Sequence, residues 1–537
     1  MNRPIALTSA IAASLLAVSG AGGGQTQQTP KRGGTVVVAF TLGEPACLNR
    51  LLGERCGAGA SVSDVVEEVI EGAFKSGPRH LAPDLVTSVK YTRTPPFTLT
   101  YHIRPAARWS DGFRVISRDF VFTDKAFQKY LPADEPHRRY VRSVSALDPK
   151  TVRVVLRSPY AAWRELFPVV LPQHALAGMD LERVWRDSID DPRTGASIGS
   201  GPFLVDHWER GKELTLVRNR RYWGAHTAYP DRVVLRFGLD DPAEALRDGE
   251  VDVVQRRPDP GTEPDFQALP GMKQLYGPGI AWEHFDIRKG TGGHPALKNK
   301  IVRRALAYGI DRDAIVRAVY GRFLPKWRPS ESAVLLDASH GYQPNWSTYR
   351  YRPALARRLL EQAGCTRGTD GIYVCGRERL SLRFVTTPGS TRRSIAVELA
   401  QRQLRQVGVD VIPSYAPFPS FFPQIVVPGN FDVALYTWFY DPDVGAGSDI
   451  YGCGGTQNFT GYCQRLVTRD LDNADRALDP AQHARLLNRA DKQMAKDVPV
   501  IPLWNEPAAA TVRSTVHGVV PNFPSLMWNA ENWWLDR

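Results

Sequence analysis

A mixed α/β fold divided among two or three lobes is predicted by three observations. The chain has 537 residues, too many for one apolar core. Stretches with period-two alternation exchange with stretches of helical periodicity along its length, the pattern of mixed sheets covered by helices. Hydrophobic content of 43% and charged content of 23% are those of a soluble globular protein, and no run after the N-terminal segment approaches the length of a membrane span.

The first element is not part of that fold. Met1-Asn2-Arg3 is a short basic start, Ile5 to Val18 is apolar, and Ser19-Gly20-Ala21 supplies small residues for cleavage. Residues 1–21 therefore read as a secretory signal and 22–32 as a polar tether. No Cys follows the apolar run, so lipid anchoring is not expected. The mature protein is expected to be periplasmic or extracellular.

Gly34 to Phe40 reads as the opening strand, followed by a loop around Glu44-Pro45-Ala46-Cys47. Val65, Val66, Val69 and Ile70 fall on one side of a helix expected over 62–74. The clearest passage is 97–131. Phe97, Leu99, Tyr101 and Ile103 alternate with polar residues as in a half-buried strand. Ser110-Asp111-Gly112 is a turn, and Ser117 can cap a helix carrying Phe120, Phe127 and Leu131. Further strands are expected at 151–156, 214–218 and 233–237, with helices from Ala161 and over 242–248. Phe431, Val433 and Leu435 alternate ahead of Trp438-Phe439-Tyr440-Asp441-Pro442-Asp443, so a strand should deliver that segment to a loop.

The six cysteines fall into close pairs: Cys47 with Cys56, Cys365 with Cys375, and Cys453 with Cys463. This spacing favours three local disulfides, each closing a loop of about ten residues and contributing roughly 2–3 kcal/mol. None of the pairs is C-x-x-C, which argues against zinc. Net charge is +12, spread along the chain rather than gathered into an arm. Nucleic acid is not an expected partner. Arg357-Arg358 and Arg392-Arg393 read as solvated helix faces.

The order Arg108-Trp109-Ser110-Asp111-Gly112, then a capped helix with Asp119-Phe120, resembles a signature of the solute-binding proteins of peptide and nickel ABC importers, the oligopeptide-binding family 5. Later blocks continue the resemblance: Gly199-Ser200-Gly201-Pro202-Phe203, Asn219-Arg220-Arg221-Tyr222-Trp223, Gly249-Glu250-Val251-Asp252, the helix-like 296–312, 354–363, and Ile501-Pro502-Leu503. The resemblance implies a two-lobed periplasmic-binding-protein-like clamp, type II, of the peptide-binding subclass with an extra subdomain. It places the first lobe at 33–57, 197–278 and 505–537, the extra subdomain at 58–196, and the second lobe at 279–504. The crossings should fall near 277–282 and 503–507. The implied function is binding of a peptide or peptide-like small ligand by hinge closure, for delivery to ABC permease subunits. The protein is expected to be a monomer, to carry no cofactor or resident metal, and to make or break no bond.

For the site, the resemblance points to Trp438 and Asp441, with Phe439 and Tyr440 between them. A carboxylate at Asp441 would pair with a peptide α-ammonium, while flanking backbone pairs with the peptide main chain regardless of its side chains. Some oligopeptide binders carry Arg where this chain has Leu435, so the pocket differs in detail. Glu44, Asn49, Trp282, His284, Trp504 and Asn505 belong to segments that face the cleft in relatives. Core packing is the competing reading for Trp282 and Trp504, and Trp109 reads as structural. His284 is also weighed as a metal ligand because nickel binders exist in the family.

Two readings from other classes are carried alongside. Gly195-Ala196-Ser197-Ile198-Gly199 fits the nucleophile elbow of a serine hydrolase acting through Ser197. The elbow, however, needs a buried strand before it and a helix after it; here Asp190 to Thr194 precede it and Pro202 follows. The third reading is a sensory or scaffold protein that keeps the clamp without transport.

Overall fold

The computed structural model describes residues 29–56, 59–77, 80–133, 135–440, 444–522 and 525–536. The expected signal and most of the tether lie outside these residues, as does Asp441. Among the described residues no helix is long and apolar enough to cross a membrane.

One ten-stranded sheet organises the molecule. Its strands, in chain order, are β1 (Thr35–Ala39), β2 (Phe203–Glu209), β3 (Glu213–Arg218), β4 (Arg232–Arg236), β5 (Val253–Arg256), β6 (Met272–Ile287), β7 (Ser381–Thr386), β8 (Asp410–Tyr415), β9 (Val433–Phe439) and β10 (Val500–Arg513). Their order across the sheet is β8-β7-β9-β6-β10-β5-β1-β4-β3-β2. β1 is parallel to β4 and β5, and β7 is parallel to β8 and β9. Such strands are covered on both faces, which is why Thr35 to Ala39 reads as a nearly unbroken valine run.

Two large apolar cores flank the middle of this sheet. The first gathers Val36, Val38, Leu214, Leu216 and Val233 with the separate four-stranded sheet 86–91, 98–103, 151–156 and 141–148. The second gathers Phe285, Leu306, Leu382, Val433 and Leu487. Only β6 and β10 run through both. β6 is half-buried to Ile280 and buried from Ala281 onward, so it enters the second core at that point. Its pairing with β10 slips between Pro278 and Trp282 and again between Glu283 and His284. Gly279 sits in the first slip, where a Cβ would meet the carbonyl oxygen of Glu506 at 2.6 Å. A side chain there would push the two strands apart.

The passage at 97–131 folds as expected: Leu99, Tyr101 and Ile103 are buried in the strand Thr98–Ile103 and Trp109 is buried behind it. The cap of the next helix, Ser117–Tyr130, differs from expectation. Asp119 Oδ2 accepts the Ile116 N–H at 2.8 Å, and Ser117 Oγ instead donates to the Asp148 carbonyl at 2.6 Å. Two helices are also shorter than expected. The first ends at Val66, and the carbonyls of Glu68 and Val69 just beyond it accept from the Phe203 and Gly201 N–H groups instead of continuing the helix. After Ala161 only a 3-10 turn, Trp163–Leu166, forms before Pro168 interrupts it. The three cysteine pairs are bonded, with Cα separations of 4.7, 4.1 and 4.5 Å.

Candidate functional site

The carboxyl ends of both parallel strand sets converge on one place. β5 ends beside Ala509 of β10, and β9 ends beside Ala281 of β6. Between these points lie residues 277–281 of β6 and 505–508 of β10, the stretch where the register slips. In open α/β sheets the crevice outside the carboxyl ends is where ligands bind. This sheet supplies two such edges, one from each core, ending at the same crossing.

Ionic side chains gather at that crossing, the floor of the expected cleft. Arg257, immediately after β5, engages both carboxylate oxygens of Glu506 on β10. It also donates Nη2 to Thr437 Oγ1 of β9 at 3.0 Å. Arg393, near the start of the helix Thr391–Gln406, donates to Glu283 Oε1 at 2.9 Å and to Thr437 Oγ1 at 2.8 Å. Arg392 lies 3.4 Å from both Asp259 and Glu506. Glu283 and Glu506 are fully buried. Burial pushes the Glu506 carboxyl up, but Arg257 and Arg392 outweigh it and hold it down to about 2. The same acidic neighbours keep Arg392 above the ordinary guanidinium range although burial opposes its charge. The floor is thus a desolvated, charge-balanced lattice joining both cores.

Above it, the end of β9 offers aromatic surface. Phe439 is 49% exposed with the Arg257 guanidinium 5.9 Å from its ring centroid. Trp438 is stacked on Phe459, with centroids 5.9 Å apart, and packs edge-on to Tyr436. Tyr440 is buried and donates its hydroxyl to the Ala333 carbonyl at 3.1 Å. Residues 441–443, which follow, lie outside the described residues.

The remaining expected residues are placed differently. Glu44 accepts from Trp208 Nε1 at 2.8 Å and from the Gly211 N–H, fastening the loop after β1 to the β2–β3 hairpin. Asn49 is buried and donates to the carbonyls of Leu181 and Val184. Both side chains tie backbone segments of the first lobe together. Trp282, His284 and Trp504 are at most 1% exposed, as the core-packing reading of the two tryptophans expects. Trp282 stacks on His284 with centroids 4.4 Å apart, and Trp504 packs edge-on to Tyr320. They form the packed layer under the floor. Among the described residues no group of metal-ligating side chains assembles around His284 or elsewhere. Asn505 pairs with Trp282 in the slipped stretch, its backbone carbonyl accepting from Trp327 Nε1 at 2.7 Å, and its buried Oδ1 has no hydrogen-bond partner among the described residues.

Sequence reasoning missed Arg257, Glu283, Thr437 and Glu506, and it assigned Arg392-Arg393 to a solvated face. Arg392 is buried, and the Arg393 side chain is only 12% exposed. No local signal marks these residues, since each partner comes from a distant segment. Ser197 donates to the Val205 carbonyl at 2.6 Å and lies 3.3 Å from Asp190 Oδ1. It bridges to Asp190 in an extended pair, not in a strand-to-helix elbow, and no imidazole is among its hydrogen-bond partners.

Residues 80–458 match the model of the bacterial extracellular solute-binding proteins, family 5 Middle. The chain belongs to this family. Family 5 is extracytoplasmic, and its members carry solutes to ABC importers. The chain is 28% identical over 480 residues to the oligopeptide-binding protein OppA of Mycobacterium tuberculosis, covering 86% of this chain and 78% of that one. It is 23% identical over 453 residues to the di/tripeptide-binding protein 1 of Pseudomonas aeruginosa, covering 78% and 80%. Among solved structures, the periplasmic EDTA-binding protein EppA superposes with a TM-score of 0.81 at 22% identity, covering 95% of this chain and 98% of that one. The oligopeptide-binding protein AppA of Bacillus subtilis superposes at 0.70 and 19% identity, covering 95% and 100%. These structures establish the two-lobed fold of this family 5 chain.

Proposed function

We propose that this family 5 protein is the ligand-capturing component of an ABC importer and that its cargo is a peptide or peptide-like molecule. The observation that carries the reading is the convergence of two carboxyl-terminal strand edges, one per core, on the crossing of β6 and β10. A gap of this kind closes when the lobes rotate about the crossing, burying whatever lies between them. On this reading the lobes are 33–57 with 197–278 and 505–537, and 279–504, with 58–196 as the extra subdomain. Phe439 supplies apolar contact, backbone at the end of β9 pairs with the ligand main chain, and Asp441 receives the α-ammonium. The curated relatives named as peptide binders support the choice of cargo. The protein acts as a monomer, makes and breaks no bond, and presents its closed form to the permease.

The test is calorimetric titration with defined tri-, tetra- and pentapeptides, each compared with its N-acetylated form. Micromolar or tighter binding of free peptides, weakened tenfold or more by N-acetylation and by Asp441→Asn, is the expected result. Equal affinity for both peptide forms removes Asp441 from the site. No binding to any peptide overturns the cargo.

A further inference from the structure

The two lobes meet a second time, far along the chain from the crossing, at a small contact built from short segments. Ala161, in the loop after the strand 151–156, donates its N–H to the Asp475 carbonyl at 2.8 Å. Arg93 Nη2 reaches Asp479 Oδ2 at 3.1 Å, on side chains 72% and 30% exposed. Between these bonds lies Leu478, in the turn joining the helices Arg465–Ala474 and Pro480–Asp497. Its helices and its neighbour Ala477 pack in the second core. Leu478 does not: it is 8% exposed and packs in the apolar cluster of the first core. It is the one described residue of the segment 279–504 in that cluster.

Cavities flank the contact on both sides. One, of about 410 Å³, is lined by His80, Leu81 and Arg164 from the subdomain and Leu335 and His483 from the second lobe. The other, of about 400 Å³, has Tyr140 and Tyr160 facing Ser448 and Asp472. Both cavities are lined from the two lobes, with Ala161 common to them and Leu478 in the wall of the first. Rotation about the crossing moves distant points most, so any opening must withdraw Leu478 from the first lobe and break the Ala161–Asp475 bond. The exposed Arg93–Asp479 pair adds little by itself, whereas an apolar side chain that loses its burial on opening biases the equilibrium toward the closed state.

We propose that Leu478, with the Ala161–Asp475 hydrogen bond, is a clasp that holds the lobes closed, and that the extra subdomain carries its receiving surface. The proposal rests on the two-lobed closure argued above and is independent of the cargo. It assigns a mechanical role to the subdomain: it completes the jaw opposite the second lobe.

The experiment is single-molecule energy transfer on the full ligand-free chain, with dyes at Ser145→Cys and Arg485→Cys, both exposed positions. Leu478→Glu and the milder Leu478→Ala are compared with Leu466→Glu, a control on the same lobe where the wild-type residue is 53% exposed. The expected result is a closed-to-open ratio lowered about tenfold by Leu478→Glu, less by Leu478→Ala, and unchanged by the control. Hydrogen exchange at Ala161 should quicken by a similar factor while helix 480–497 keeps its protection. An unchanged distance distribution overturns the clasp. Loss of protection throughout helix 480–497 also overturns it, because Leu478 would then be a core residue of its own lobe. Failure of every peptide titration would leave this test intact.

Discussion

Arg257, the first residue after β5, donates to Thr437 near the end of β9 at 3.0 Å, so a single guanidinium joins the two cores at the floor of the cleft. The same group grips both oxygens of buried Glu506. Leaving a buried charge wholly uncompensated costs about 3–5 kcal/mol, but Arg392 remains 3.4 Å from Glu506 and the Arg257 side chain is 23% exposed, so the loss should be smaller, about 1–3 kcal/mol. Arg257→Ala should therefore lower the free energy of unfolding in urea by about that amount. Because Arg257 keeps the Glu506 carboxyl low, that loss should shrink in the Arg257→Ala, Glu506→Gln double variant. A strictly additive double variant would show that the pair is uncoupled.

Phe439 should behave in the opposite way. It is half exposed and lies at the carboxyl end of β9, so truncation removes ligand contact without opening a core. Phe439→Ala is expected to leave the melting temperature unchanged and to weaken peptide binding about tenfold in calorimetry. A lowered melting temperature with unchanged affinity would make it a packing residue.

Alkaline pH should destabilise the first lobe. Asp64, Glu68 and Glu71 are buried close to a single lysine, Lys75, whose Nζ is 3.1 Å from Glu68. Burial pushes Asp64 and Glu68 up to about 8 and Glu71 well above the ordinary carboxyl range. Between the ordinary carboxyl values and pH 8 the folded chain holds protons that the unfolded chain has released. Stability is thus complete below about pH 4 for these groups and falls as pH rises through 8. Melting temperature at pH 9 should lie at least about 5 °C below that at pH 6. Glu68→Gln should flatten the profile, and an equally steep profile in that variant would exclude Glu68.

The bridge between Cys453 and Cys463 ties residues close to the aromatic wall, since Phe459 lies inside its loop and stacks on Trp438. Replacing both cysteines by serine should cost about 2–3 kcal/mol from loop entropy and loosen that wall. Denaturant unfolding checks the first effect. Tryptophan emission shifted to the red in the native state checks the second, and unchanged emission would show that Phe459 is held by packing alone.

Much of the fold is legible in local pattern. The strand at 98–103 and its helix are specified by residues a few positions apart, as is the helix Pro242–Asp248, capped by Asp241 and closed by Gly249 in a left-handed conformation. Where local pattern misled, a longer-range partner intervened. Asp119 displaced Ser117 as the cap because it also accepts from the Gln173 N–H. Asn49 is held by the carbonyls of Leu181 and Val184, more than 130 residues away in the chain.

The sequence by itself determined the family, the alternation of strands and helices, and the three local disulfides, all properties of residues near one another in the chain. Only the tertiary structure decided what forms the cleft floor. Arg257, Glu283, Arg393, Thr437 and Glu506 come from five separate segments, and nothing in the neighbourhood of any one of them names its partners. Burying a charge requires a matched charge, and that match exists only once the two strand edges have been brought to the same crossing.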